Sequence, residues 1–199
     1  MIKHKDFDKY SDYVEVQKRR ANRTTKNTKH RLGEFQKIAK SLRERFPDYE
    51  SILCVGCRLN CEIAAFKQVG FKAVGIDLIE KEGVIQCDMF KIPEHDFFQN
   101  KKIDIMFCSH SLEHCLDFDG FIKGVAHLDT KVIMVLCPLR AGYSEWDCTV
   151  YDFMKPSGKI TEEDILKYFK GFKLLNVSIN THRRKNMGSI TFLLERGKT

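Results

Sequence analysis

Residues 51–78 read SILCVGCRLNCEIAAFKQVGFKAVGIDL, and the fold turns on how they are parsed. Ser51 to Val55 is a short apolar run rich in β-formers, which predicts a buried strand. Gly56 ends it. Asn60 is a good N-cap and Gly70 a good stop, so the spacing predicts a helix over 61–69. Phe71 to Leu78 is a second apolar run, with Asp77 near its end. Two parallel strands joined by a helix form a βαβ unit, whose crossover is right-handed in nearly every case. A glycine at a strand end admits a ligand close to the backbone, and the nearby helix N-terminus suits polar or anionic groups. An acidic residue about 20 positions on can accept hydrogen bonds from both hydroxyls of a ribose. Asp77 stands in that place. The stretch therefore predicts a nucleoside-containing cofactor across the carboxyl ends of the strands.

The segment Val55-Gly56-Cys57-Arg58-Leu59-Asn60-Cys61 resembles the first motif of the class I S-adenosylmethionine (SAM) methyltransferases, a strand followed by G-x-G-x-G. The first glycine is kept, while Arg58 and Asn60 hold the other two places. Asparagine tolerates a left-handed turn. The resemblance implies that Gly56 and Cys57 lie against the methionine and ribose of SAM. Arg58 then points outward or contacts the cofactor's carboxylate. Asp77 takes the ribose, with Leu78 beside it in the cofactor set.

Downstream, Val84 to Asp88 reads as a third strand. Six residues separate Leu78 from Ile85, too few for a crossover helix, so a loop is expected. The resemblance implies that Asp88 accepts from the adenine amino group and that Met89 flanks the ring. Taken alone, Asp88 reads equally well as a helix N-cap. Ile103 to Cys108 is the fourth strand, with Asp104 near its start. Ser109-His110-Ser111-Leu112-Glu113-His114 is similar to the N/S-x-x-L-E-H segment of many small-molecule and RNA methyltransferases. It implies Ser109 near the sulfonium. On one helical turn, His110, Glu113 and His114 share a face at i, i+3 and i+4. Related metal sites carry a glutamate where His110 stands, and magnesium prefers oxygen ligands, so no metal is expected. Histidine titrates near neutral pH, which makes His110 or His114 the expected base, with Glu113 in the same catalytic group. The plainer alternative is that Glu113 and His114 only cap the turn.

Lys131 to Cys137 is the fifth strand, closed by Pro138. A Cys-Pro pair is similar to the nucleophile of cytosine C5 methyltransferases, but there it follows the fourth strand. A thiolate also needs a lowered pKa and a base. No N/D-P-P-Y/F/W segment follows the fourth strand, which argues against enzymes that methylate amino groups in DNA. Residues 139–158 form a loop-rich insert. Tyr143, Trp146 and Tyr151 either line a substrate pocket or pack the loop down. Thr161 to Phe169 opens as T-E-E-D, a capped helix. Lys173–Ile179 and Ser189–Leu194 are the last two strands, joined by a basic turn over 182–186. The resemblance covers about residues 50–196. It implies a Rossmann-like α/β fold: a seven-stranded, mostly parallel sheet of order 3-2-1-4-5-7-6 with helices on both faces.

Composition bounds the rest. The chain has 199 residues and is 43% hydrophobic, as suits one globular domain with a real core. No apolar run approaches the roughly 18 residues of a membrane span. The opening MIKHKDFDKY lacks an apolar signal core, so a cytoplasmic protein is expected. The eight cysteines mostly fall in or beside apolar strands and read as buried thiols of a reducing compartment. Cys54, Cys57 and Cys61 lack a downstream partner pair for zinc. Residues 1–50 hold 14 basic and 8 acidic residues, and residues 51–199 hold 20 and 19. Nearly all of the net charge of +7 thus lies in the N-terminal segment. Within it, Leu32, Phe35, Ile38, Ala39, Leu42 and Phe46 form the apolar face of a helix over 31–46 that Pro47 ends. Thr24 to Asn27 reads as a break between two helices or as a flexible stretch. The basic residues are either a solvated face or a contact for an anionic partner such as nucleic acid. Extensions of this kind often cap the ligand cleft in the family, as the resemblance implies, which makes Tyr10, Tyr13, Lys18, Arg19 and Arg20 candidates for a lid or for the substrate side.

The expected organisation is a basic helical cap over 1–49 and a SAM-binding domain over 50–199. The expected activity is methyl transfer from SAM to an oxygen or nitrogen of a small-molecule or nucleotide-containing acceptor. Two other readings stand. One is an inactive methyltransferase-like binding or regulatory protein. The other is an enzyme that uses the basic segment to reach RNA or DNA.

Overall fold

The computed structural model describes residues 3–4, 7, 9–22, 28–57, 60–139, 148–154, 160–182 and 187–197. In chain order the elements are β1 (Lys3–His4), α1 (Tyr10–Asn22), α2 (Thr28–Arg45), β2 (Ser51–Val55), α3 (Cys61–Gln68), β3 (Lys72–Asp77) and β4 (Ile85–Gln86). There follow β5 (Ile105–Ser109), α4 (Phe118–His127), β6 (Val132–Leu139), β7 (Thr149–Val150), α5 (Glu162–Leu166), β8 (Phe172–His182) and β9 (Met187–Arg196).

Seven strands form one sheet in the order β4-β3-β2-β5-β6-β9-β8. Counted by their appearance in that sheet, this is the expected 3-2-1-4-5-7-6. The first five are parallel. β9 runs antiparallel to both β6 and β8. β1 and β7 form a separate antiparallel ribbon that ties the N-terminal segment to the chain beyond β6.

Side chains alternate across a strand, so a strand covered on both faces reads as a continuous apolar run. Ile52 and Cys54 of β2, with Ile105 and Phe107 of β5, face the cluster built on Phe66 of α3 and on Phe35, Ala39 and Leu42 of α2. Leu53, Val55, Met106 and Cys108 face the opposite cluster, with Phe121 and Val125 of α4 and with Phe153 and Phe169. Phe66 and Phe107 are fully buried and meet edge to face at 5.0 Å. Truncating either to alanine would cost roughly 3–5 kcal/mol. The apolar face expected for α2 is the one it buries. Arg43 on that helix is structural: its guanidinium lies 3.7 Å over the Phe71 ring and donates to the carbonyls of Val69 and Tyr49.

Several expected boundaries move, for local reasons. The third strand is only Ile85–Gln86, because Val84 bridges back to Lys81 and Asp88 belongs to the next turn. The fifth strand runs on through Pro138. Its pairing with β5 ends at Leu136, so beyond that point only β9 flanks it and a proline is tolerated. Thr161 makes the expected capping box with Asp164, but the helix stops at Leu166 and Gly171 turns the chain at φ +83°. The terminal hairpin is longer than expected at both ends. All eight cysteines are buried thiols.

Candidate active site

A cleft opens at the carboxyl ends of β2, β3, β4 and β5, beneath α1. Gly56 forms its floor at φ +71°, a backbone region that favours glycine. A Cβ there would come within 2.8 Å of Ser111 Cβ, so the position is constrained by contact as well. Asn60 takes the left-handed conformation, φ 56°, that the altered motif requires. Its side chain does not cap α3. It donates instead to the Glu82 carbonyl at 2.8 Å, which links the turn to the loop after β3. Arg58 lies outside the described residues.

Cys57 faces away from the cleft. Its thiol meets the Ile76 carbonyl at 3.5 Å, in the room left by Gly75, where a Cβ would stand 2.2 Å from the sulfur. Burial raises its pKa well above the ordinary thiol value. Asp77, the last residue of β3, lines the cleft with Leu78, and its Oδ1 accepts from the Ile79 amide at 3.2 Å.

Asp88 and Met89 line the cleft just past β4. The chain beyond Asp88 forms a one-turn 3-10 helix over Ile92–Glu94 whose N-cap is Lys91, so Asp88 is not a helix cap. Its Oδ2 accepts from the Tyr10 hydroxyl at 2.9 Å. Its Oδ1 is buried with no hydrogen-bond partner among the described residues. Burial pushes the carboxyl up to about 6, against the lowering effects of the Tyr10 hydrogen bond, nearby backbone amides and Lys91.

The segment after β5 departs most from expectation. Ser109 ends the strand and stays out of the cleft lining, whereas Ser111 enters it. Leu112–His114 is one 3-10 turn, and His110 lies before it at φ 52°. The three expected catalytic residues therefore do not share a helical face. Glu113 is fully buried between the two imidazoles, its Oε1 at 3.6 Å from His114 Nε2 and 3.9 Å from His110 Nδ1. His110 and His114 both line the cleft, the first half-exposed and the second buried. Other segments tie this turn down. Tyr13 donates to the His114 carbonyl at 3.0 Å, Tyr151 to that of Leu112 at 3.2 Å, and the Cys148 amide to that of Glu113 at 2.8 Å. Tyr151 thus packs the loop, stacked on Phe153 at 5.0 Å. Tyr143 and Trp146 lie outside the described residues.

α1 roofs the cleft with Tyr13 and Gln17. Tyr10 meets Phe90 edge to face, and Lys91 Nζ stands 4.2 Å over its ring. Lys18 and Arg19 are exposed, and Arg19 pairs along the helix with Glu15. The Arg20 side chain lies outside the described residues. Sequence reasoning missed Gln17 and Ser111. The spacing Tyr10, Tyr13, Val14, Gln17 is one helical stripe and could have signalled the first. Ser111 carried no signal, because its place follows from contact with Gly56. Among the described residues no three His, Cys, Asp or Glu are arranged to hold a metal ion. No helix among them is long and apolar enough to cross a membrane.

No protein-family model matches the sequence, and no curated protein is detectably similar to it. Solved structures are similar in fold. The magnesium protoporphyrin IX methyltransferase of Synechocystis PCC 6803, with bound SAM, is 14% identical over 96% of this chain and 87% of its own, with a TM-score of 0.58. The 1,6-didemethyltoxoflavin-N1-methyltransferase of Burkholderia thailandensis, with bound 1,6-didemethyltoxoflavin and S-adenosylhomocysteine, is 10% identical over 99% and 95%, with a TM-score of 0.62. The cyclase SpnF is 12% identical over 82% and 81%, with a TM-score of 0.56. Strand order, the glycine turn after the first sheet strand and these likenesses agree: this chain has the fold of the class I SAM-dependent methyltransferases.

Proposed function

We propose that the chain binds SAM in this cleft and transfers its methyl group to an oxygen or nitrogen of a small molecule. The observation that carries the reading is the buried Oδ1 of Asp88 in the cleft lining, which has no hydrogen-bond partner among the described residues. Buried acceptors are nearly always satisfied, and an adenine amino group is a donor of the required kind. Asp77 then accepts from the ribose hydroxyls, Leu78 and Met89 flank the base, and Gly56 leaves the turn open to the cofactor. Cys57 and Ser109 shape the chain path without side-chain contact.

SAM supplies a methyl group already activated on a sulfonium. The chain's part is to hold the acceptor in line and to take its proton. His110 suits the second task, being half-exposed at the cleft with Glu113 behind it. A carboxylate there stabilises the positive charge that the imidazole gains with the proton. His114 is buried and held by its backbone, which fits a supporting part. A small acceptor fits because α1 closes the cleft with two buried side chains. The N-terminal segment then acts as a cap, α1 as roof and α2 as its anchor on α3. The Burkholderia thailandensis neighbour likewise holds a small molecule beside S-adenosylhomocysteine.

Titration calorimetry with SAM and with S-adenosylhomocysteine tests the reading. Binding of either, weakened in Asp77→Ala, supports it. Absence of binding by the parent protein removes it. Binding without S-adenosylhomocysteine release across a panel of hydroxyl and amine acceptors would return the chain to a binding role, since one fold serves many functions.

A further inference from the structure

β8 is the outer strand of the sheet. Its residues 176–180, Asn-Val-Ser-Ile-Asn, are all exposed. Val177 and Ile179 are 41% and 47% exposed, and their partners across β9 are the core residues Phe192 and Ile190. Residues directly opposite on neighbouring strands project to the same face. The apolar face of the core therefore continues one strand further and ends, among the described residues, at the part-exposed Val177 and Ile179.

An edge strand presents unpaired N–H and C=O groups, and monomeric proteins blunt it with lysine, proline or a short strand. β8 spans 11 residues, and residues 174–181 carry neither charge nor proline. One register shift, between Leu174 and Asn176, leaves the run to His182 regular. That run nearly reads the same in both directions about Ser178. Asn176 mirrors Asn180, and Val177 mirrors Ile179, both β-branched. A two-fold interface demands such self-complementarity, because residue i meets j and j meets i. Antiparallel pairing centred on Ser178 sets Val177 of one copy against Ile179 of the other, twice over. It also matches outward-facing backbone groups with outward-facing ones, since paired positions share parity along the strand.

We infer that two copies of this chain associate through β8, antiparallel about Ser178, joining two seven-stranded sheets into one. The contact covers the four exposed β-branched side chains and satisfies both edges. It is independent of the methyl-transfer reading.

Cysteine cross-linking tests both partner and register. Ser178→Cys places two thiols directly opposite, within the reach of a disulfide. Every native cysteine is buried, so the background is low. With diamide as oxidant, Ser178→Cys should give a covalent dimer at least tenfold faster than Asn176→Cys, whose opposite residue is Asn180. Sedimentation of the parent should show a reversible dimer with a dissociation constant of about 10–100 μM, as suits a contact below standard size. The double variant Val177→Lys and Ile179→Lys should weaken it at least tenfold with the melting temperature unchanged. Equal cross-linking of the two cysteine variants, a parent that stays monomeric throughout, or a dimer indifferent to the lysines would each overturn the inference. Hydrogen exchange of the unmodified protein gives a check that needs no variant: β8 amides should gain protection as concentration rises, and concentration-independent exchange would count against the dimer.

Discussion

The two rims of the sheet each hold an aspartate just off a strand, and the two are treated in opposite ways. At the amino rim, Asp104 precedes β5. Its Oδ2 takes the Ser51 hydroxyl at 2.7 Å and the amides of Ser51 and Glu50 at 2.9 and 3.0 Å. Burial pushes its pKa up, but those hydrogen bonds outweigh it and hold the carboxyl below the ordinary value. At the carboxyl rim, Asp88 has Tyr10 on one oxygen and nothing among the described residues on the other, and burial wins. A carboxylate that the fold satisfies belongs to the scaffold. The proposed function takes the one that the fold buries and leaves short to be the ligand's partner.

The sharpest way to break this contrast begins at Asp77, which the proposal places on the ribose. Asp77→Ala should weaken SAM binding roughly a hundredfold, as loss of two hydrogen bonds to a charged group implies, and calorimetry reads it. Next is Asp88→Asn. The folded value of about 6 lies above the unfolded value of about 3.9, so the folded chain holds the proton more tightly. Stability contributed by this group therefore falls as pH rises from about 4 to about 6. The neutral variant should be more stable than the parent at pH 7 by roughly 2 kcal/mol in urea melts, yet bind SAM about tenfold more weakly. It should also lose the parent's decline in SAM affinity below pH 6. A variant that is both less stable and unimpaired in binding would erase the distinction between the rims.

Asp104→Ala should do the reverse, costing about 2 kcal/mol of stability while leaving SAM affinity intact. The Asp104 contribution is present above the ordinary carboxylate range and is lost as pH falls through the folded value. Smallest is Tyr10→Phe. It removes one donor from Asp88, so the pH midpoint of SAM binding should move up from about 6, with affinity at pH 8 changed less than about threefold.

Much of this was legible in the chain. The run from Ser51 to Leu78 announced a parallel strand pair, and Asp77 and Asp88 fell at strand ends where ligands gather. Leu32, Phe35 and Ala39 marked the face that α2 buries. The parts whose local geometry differs from expectation share a cause. Cys57 was placed by its position in a motif, but its thiol follows the gap left by Gly75, eighteen positions away in sequence. His110, Glu113 and His114 were read as one α-helical turn, but a left-handed residue at 110 and a 3-10 turn set them around Glu113 instead of along one helical face. Periodicity reports which faces are apolar and is silent on how an irregular turn is tied down by Tyr13, Tyr151 and Cys148 from distant segments.

By itself, then, the amino-acid sequence determined the alternation of strands and helices and the placing of acidic residues at strand tips, because apolar spacing and turn residues act locally. Only the tertiary structure decided which carboxylate is satisfied, which thiol faces inward and which helix roofs the cleft. Those outcomes depend on contacts between segments far apart in the chain, such as Tyr13 with His114, 101 residues on, and Tyr10 with Asp88, 78 residues on, and no local pattern encodes them.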